Sequence, residues 1–531
     1  MPPVTDTLCR SYLDLRWNFD PVAGSEAGDA GADRRLGSFD EESVRAELAA
    51  FRAMAGAVED LDVADLQDEI DRTALLDDIR VTIFRFQHEL PHIHNPAFWV
   101  SHLFRALHSL LQRADDRPEE RAVAALARLV AAPAFLEQAT KTIREPPSVL
   151  LETALQMLEG GGSLPAHTAA EFGRRAPELA PALDAAATAT VAALGGFGAK
   201  LRALLEARPA VQSFSVGEVE FNRRLHYEHN LRATAPELWR YGLHLVEEAA
   251  AAVQRSAMEI DPGRSWTDVV RRLRAEAVTG GATRAFTAEV TRARTIARNE
   301  GLVPFPEGEI RVEPTPAFLR HFVPAVWCDP PGPEEAGKTG VLYVTEAPGA
   351  NGQAHGRHET WAWAAAEAYP GFFLQRRVAA GLSSLVRRYL WTPLTVRGWA
   401  LYVEELMAEA GLARTPAERM LGEVRLLRAA VRIILDVGLH TRGTTPDDAV
   451  AYAMEQLAVD RGEAEEMVRR ACARPTYSLA DAVGRRELLA LRNDWRKRAG
   501  GDAPLRDFHD AVLAYGGLPV ALIRWGMGLD E

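Results

Sequence analysis

The stretch ELWRYGLHLVEEAAAAVQRSAMEI, Glu237 to Ile260, returns an apolar residue every three or four positions over more than six turns, the spacing that keeps one face of an α-helix oily. ESVRAELAAFRAMAGAVED (42–60) and LRDFHDAVLAYGG (505–517) repeat the pattern, the latter ending in a glycine pair suited to a helix C-cap. Ala, Leu, Glu and Arg, all good helix formers, dominate much of the chain. The fold class expected is mainly α.

One region breaks the rhythm. Residues 304–340 hold eight prolines and are flanked by EIRVEP (309–314) and VLYVTE (341–346), short β-branched runs that predict strands. A small β element is therefore expected near 309–346, with VLYVTE as an edge strand able to pair with a peptide backbone. The Gly/Asp-rich run 24–33 reads as a loop. With no repeat or linker visible, the expected organisation is an N-terminal segment, 1–40, packed on one helical domain, 41–531, whose functional region spans 341–520.

Composition narrows the function. The 531 residues carry 74 acidic and 61 basic side chains, a net charge of −13, so the surface repels a phosphate backbone and nucleic acid is not an expected partner. Cys9, Cys328 and Cys472 are isolated, which fits neither a disulfide framework nor a CxxC metal site. The N-terminus has no basic start followed by an apolar core, and no segment offers 18 uninterrupted apolar residues. A cytoplasmic protein without a membrane partner is expected.

HELPH, His88 to His92, spells the zinc motif HExxH, in which two histidines one helical turn apart aim at one Zn²⁺ and the glutamate activates its water. Pro91 falls inside that turn, removing a backbone donor and forcing Leu90 out of the α region. A histidine-rich helix end and loop is the expected reading. The cluster HGRHE, with His355, His358 and Glu359, is similarly read as a polar helix start in preference to a metal site.

A different segment carries the resemblance. AEAYPGFFLQ (366–375), together with SYLDLRWNFDPVAG (11–24), NPAFWV (95–100), TPAFLRHFVPAVWCDPPGP (315–333), GVLYVTEAP (340–348), GWALYVEELMAEAG (398–411), RIILDVGLH (432–440), RPTYSLADAVGR (474–485) and FHDAVLAYGGLP (508–519), resembles in order the blocks of a bacterial family of unknown function allied to the helical gluzincin metallopeptidases. The resemblance implies a large helical fold with a deep cleft, and a zinc site at an HExxPGHHLQ signature and an EGWALYxE block. This chain departs at each implied ligand: Ala366 replaces the first histidine, Phe372 and Phe373 the later pair, and Arg397 the glutamate. Neither alanine nor phenylalanine offers a lone pair, and a guanidinium places fixed positive charge where a dication would sit. No metal and no cofactor is expected. Tyr477 and Asp481 replace the Gln and Tyr of a PxQxxxY pattern, and Ala30 the histidine of an N-terminal GxHxxD pattern.

The polar residues that remain are Glu367, Glu404, Arg432, Asp436, His440 and His509. Glu367 stands where the family places its water-activating base, so it is a candidate base, and Arg397 a candidate anion binder or ion-pair partner of Glu367. Tyr343, Tyr402, Arg432, His440, Tyr477, Asp481 and His509 are candidate substrate contacts; the alternative for the histidines and Asp436 is that they tie helices together. Three readings stay open: a metallopeptidase-like pseudoenzyme binding a peptide-like or amino-acid-like small molecule, a metal-independent enzyme using Glu367 and Arg397, and a zinc peptidase with relocated ligands.

Overall fold

The computed structural model of the protein describes residues 4–113, 117–207, 214–320, 325–335, 339–345, 356–500 and 503–529. It is 74% helical with one small three-stranded sheet, the mainly α fold with a β element that the periodicity predicts.

The opening stretch lies in the helix Ala235–Ile260. A Thr234–Glu237 capping box and Pro236 in the first turn start it. Leu238, Gly242, Leu245, Val246, Ala249, Val253 and Ala257 form its buried stripe. That stripe lies along Pro416–Thr441, itself opened by a Thr415–Glu418 capping box. At Gly242 a methyl group would come within 2.9 Å of Ile434 Cδ1, so glycine sets the spacing. Each large apolar side chain fully buried there contributes about 1.5–3 kcal/mol.

The chain divides into two compact units along boundaries other than the one at residue 40: residues 1–63, 75–214 and 316–322 form the first, and 64–74, 215–315 and 323–531 the second. In the first, the segment Val4–Ala32 packs on the helices Glu41–Glu59 and Pro96–Leu111. Phe39 is ringed by Phe19, Phe86, Phe98 and Trp99 in edge-to-face and stacked contacts. Ala30 is exposed at the start of a 3₁₀ turn, Ala30–Ala32, capped by Asp29. Two stretches, Pro118–Thr142 and Pro177–Glu206, are long and apolar enough to cross a membrane by length and composition alone. They belong to Ala-rich helices that pack against each other, and the first buries Arg121 and Arg128.

The second unit holds the sheet, whose strands Ile310–Pro314 (β1), Val326–Asp329 (β2) and Gly340–Val344 (β3) lie in the order β1–β3–β2. β1 runs parallel to β3, and β2 antiparallel to it. The sequence expectation of an edge strand at 341–346 is thereby corrected for the described part of that run: β3 is central, and its backbone is committed to neighbours on both sides. The apolar residues that mark it as a strand also mark it as a buried one, with Leu342 and Val344 fully enclosed. The edges are β1 and β2, and β1 ends in Pro314, a residue that sheets tolerate at edges. Glu346 lies outside the described residues.

Candidate functional site

The signature segment is a helix interrupted on purpose by its own residues. Thr360–Trp363 runs into a single π-turn, Ala364–Ala368, then breaks at Tyr369 and restarts as Phe372–Ala380. A wide turn of this kind re-aims side chains and recurs at functional sites. Pro370 cannot continue the ladder. At Gly371 a Cβ would fall 1.9 Å from the Ala366 carbonyl oxygen and 2.3 Å from that of Ala365, so only glycine fits under the turn. Trp399 fixes the break by donating from its indole to Pro370 O at 3.0 Å. The whole π-turn is buried, and Glu367 is 4% exposed.

Two other helices bring charge to Glu367. Pro393–Glu409 and Ala480–Ala499 cross at Gly398 and Gly484, where an added Cβ would lie 2.4 Å from Gly484 C and 1.9 Å from Leu394 O respectively. Backbone meets backbone there, which places Arg397 beside Asp481. Arg397 donates from Nη1 to Glu367 Oε1 at 3.0 Å and from Nε to Asp481 Oδ1 at 3.2 Å. Arg432, from Pro416–Thr441, donates to the other oxygen of Asp481 at 2.5 Å. The result is an alternating chain, Glu367–Arg397–Asp481–Arg432, whose two acids and two bases cancel. Glu367 and Asp481 are 5% and 14% exposed at the side chain, Arg397 and Arg432 30% and 27%, so the arginines form the open side. Alongside it Arg425 donates to the buried Glu404 at 2.8 Å and lies 4.0 Å over the Trp363 ring.

Electrostatics follow from that alternation. Burial alone would raise the Asp481 carboxyl, but Arg432 and Arg397 outweigh it and hold it below the ordinary aspartate range. Burial likewise works against the Arg397 charge, and Glu367 and Asp481 more than restore it. For Glu404 burial wins over Arg425 and its pKa is raised.

The ion pair between Arg397 and Glu367 expected from the sequence is thus present in the geometry, extended by Asp481 and Arg432. Tyr477 is half-buried, lies in the electrostatic field of Arg397 and has the Arg474 guanidinium 3.8 Å over its ring. The other candidates are engaged elsewhere. Tyr402 meets His509 Nε2 at 2.8 Å while His509 Nδ1 bonds Leu302 O at 2.6 Å. His440 bonds Ala471 O and stacks on Phe221. Burial pushes both histidines down to about 4. Asp436 accepts the backbone N–H groups of Thr476 and Leu479, each at 3.1 Å. It thereby holds the turn that leads into Asp481, and burial pushes its carboxyl up to about 7. Tyr343, on β3, stacks on Trp327. Ala366 and Phe373 are buried, Phe373 against Tyr369 and under Gly340, while Phe372 is half-buried.

The histidine motif of the first unit is not a loop, which corrects the expectation there. Arg85–Glu89 is a π-turn, Leu90 takes left-handed φ 49°, and Pro91 opens a separate short helix, Pro91–His94. His88 is exposed and His92 is 2% exposed, so the two imidazoles belong to different elements. His358 bonds Glu276 at 2.9 Å and Glu359 pairs with Arg274 at 3.4 Å; His355 lies outside the described residues. Among the described residues no group of three or more His, Cys, Asp and Glu is placed to hold a metal. Asp436 ties helices together, the alternative that the sequence left open, whereas Arg425 was missed by sequence reasoning, since its role depends on Glu404 from another helix.

Fold and site define a mainly helical protein with a small sheet and a buried, internally neutral acid–arginine chain. The chain belongs to the family described as bacterial protein of unknown function (DUF885), which matches residues 21–527. It is similar in fold to a "putative lipoprotein of unknown function" from Shewanella oneidensis, with TM-score 0.77, 19% identity and 98% of each chain covered. It is also similar to a "putative lipoprotein" from Colwellia psychrerythraea, with TM-score 0.86, 17% identity and 99% of each chain covered. No curated protein matches the chain.

Proposed function

We propose that this protein is a metal-independent relative of the helical gluzincin peptidases that binds a peptide-like or amino-acid-like small molecule without hydrolysing it. The carrying observation is the bond from Arg397 Nη1 to Glu367 Oε1 at 3.0 Å. An arginine replaces both the metal ligand and the metal charge, and it compensates an otherwise costly buried carboxylate. Glu367, the base that a metal-independent enzyme would need, is buried and engaged by Arg397, which favours binding over catalysis. Relocated zinc ligands find no donor set among the described residues. The half-open guanidinium groups of Arg397 and Arg432 suit the carboxylate of such a ligand, with Tyr477 beside them. A cytoplasmic setting without a membrane partner is part of the proposal, and the net charge of −13 supports the further part that nucleic acid is not a partner.

Elemental analysis combined with thermal denaturation against a panel of amino acids, dipeptides and N-acetylated dipeptides tests it. The expected outcome is no stoichiometric zinc, no response to added Zn²⁺ or chelator, and a saturable rise in midpoint with at least one compound class, because a ligand that binds only the folded state stabilises it. One tightly held zinc per chain, or chelator-sensitive peptide hydrolysis, overturns the reading.

A further inference from the structure

A second polar group, just beyond the signature break, is built differently from the Glu367 chain. Arg377, on Phe372–Ala380, is 7% exposed and donates through Nη2 to the Glu307 carbonyl. Its Nε and Nη1 are buried without a hydrogen-bond partner, and so is the hydroxyl of Tyr369, which is 4% exposed. Arg294, from Ala282–Asn299, lies with its guanidinium 5.4 Å over the Tyr369 ring and leaves its own Nε buried and unpaired. Buried donors are nearly always satisfied, and leaving one bare costs about 1–3 kcal/mol, more for a charged group. Several bare donors grouped around Tyr369 call for an acceptor.

Among the described residues no carboxylate acts on Arg377, and the one that acts on Tyr369, Glu309, belongs to the covering segment. Burial lowers the Arg377 pKa, and the opposing influence on it comes from Tyr369, with no carboxylate contributing. This contrasts with Arg397, which has two. The cover is the segment 304–309, PFPEGE, leading into β1. Phe305 lies 6.0 Å from Tyr369, and Arg298 lies 5.0 Å over Phe305. Gly308 has φ 121°, and a Cβ there would be 2.8 Å from Arg377 Nε, so glycine lets the backbone lie directly on the guanidinium. Glu307 and Glu309 of the same segment are exposed; displacing it uncovers the donors without disturbing a helix.

We propose that Arg377, Tyr369 and Arg294 form a binding site for an oxyanion, a carboxylate or phosphate group, covered by the 304–309 segment. With that segment displaced, Arg377 offers the Nε–Nη2 edge of its guanidinium, which the Glu307 carbonyl and the Gly308 backbone now cover, and Tyr369 a hydroxyl and Arg294 an N–H beside it, donors that suit a planar or tetrahedral oxyanion. No bond is made or broken. The site does not rest on the ligand proposed for the Glu367 region.

The test is binding of acetate and of inorganic phosphate to the full chain. It is followed by equilibrium dialysis and by thermal midpoint at constant ionic strength, with chloride as the exchanged ion. The two anions separate a carboxylate ligand from a phosphate one. The expected result is saturable binding of one of them, with a midpoint that rises and levels off. Arg377→Met abolishes the saturable part, and Tyr369→Phe weakens it by about tenfold or more, the worth of a hydrogen bond to a charged group. Should Arg377→Met not fold, Tyr369→Phe decides, since it removes one oxygen and keeps the ring contacts. Absence of saturable binding in the wild-type chain, or equal binding in wild type and Tyr369→Phe, overturns the proposal.

Discussion

Residues 85–94 of the first unit and 364–375 of the second share a backbone design and differ in everything attached to it. Each runs a helix into one π-turn, breaks within two residues, and restarts with proline at or near the break. In the first, HELPH, the side chains meet aromatics: His92 lies against Phe86, and Trp99 donates its indole N–H to the His92 carbonyl. In the second, AEAYPGFFLQ, the π-turn carries Glu367 toward arginine. The literal zinc motif therefore marks a packing joint, and the segment without a single histidine marks the charged site. A π-turn re-aims a side chain; the helices that pack against it decide whether chemistry results.

The comparison breaks or sharpens at four places, in falling order of effect. Gly371→Ala should be the most damaging, at about 3 kcal/mol or more, because the new methyl meets backbone carbonyls that cannot rotate away. Chemical denaturation that shows a near-neutral change would mean the second break is as loose as the first. Arg397→Met should cost about 2–3 kcal/mol, at the lower end for a buried pair because the arginine is partly exposed. Pairing it with Glu367→Gln should recover most of the loss, and a double-mutant cycle giving additive losses would remove the charge distinction between the two regions.

His92→Gln should change the acid limb of the stability curve. Burial holds the folded His92 down to about 4, while an unfolded histidine takes its proton near 6.5. Between those values the unfolded chain binds more protons, so His92 contributes stability that is present above pH about 6.5 and is lost as pH falls toward 4. His440 and His509 act in the same direction in the second unit. Urea titrations at pH 7 and 5 should show a smaller difference for the variant than for wild type; an unchanged difference would contradict the burial of that imidazole. His88→Ala, on an exposed ring, should stay within about 0.5 kcal/mol of wild type, and a larger loss would mean that the first motif is coupled after all.

Much of this was legible in the sequence, for reasons that vary by residue. Glu237–Ile260 announces its helix because periodicity is local, and Pro91 announces the break in HELPH because a ring excludes a hydrogen bond. The Arg397–Glu367 pair was legible through position and charge. Asp481 as the second acceptor was not, since it sits 84 residues beyond Arg397 and meets it only through the Gly398–Gly484 crossing, which no periodicity encodes. The sheet shows the same limit: β-branched runs predict strands, but nothing local shows that β1 and β2, which both precede β3 in the chain, pair on its opposite sides. Arg377 carries no sequence signal at all, because an unpaired donor is defined by what fails to reach it.

The Gly398–Gly484 contact has a mechanical meaning as well. With two backbones touching and no side chain between them, the helices Pro393–Glu409 and Ala480–Ala499 have no compliant layer through which to slide, so they transmit displacement as a pinned joint does. Displacement of Arg432 would draw on Asp481 and, through it, on Arg397 and the joint. Amide hydrogens on either side of the pin should exchange with solvent at a common slow rate, and a larger residue at position 398 or 484 should decouple the two helices before it unfolds either.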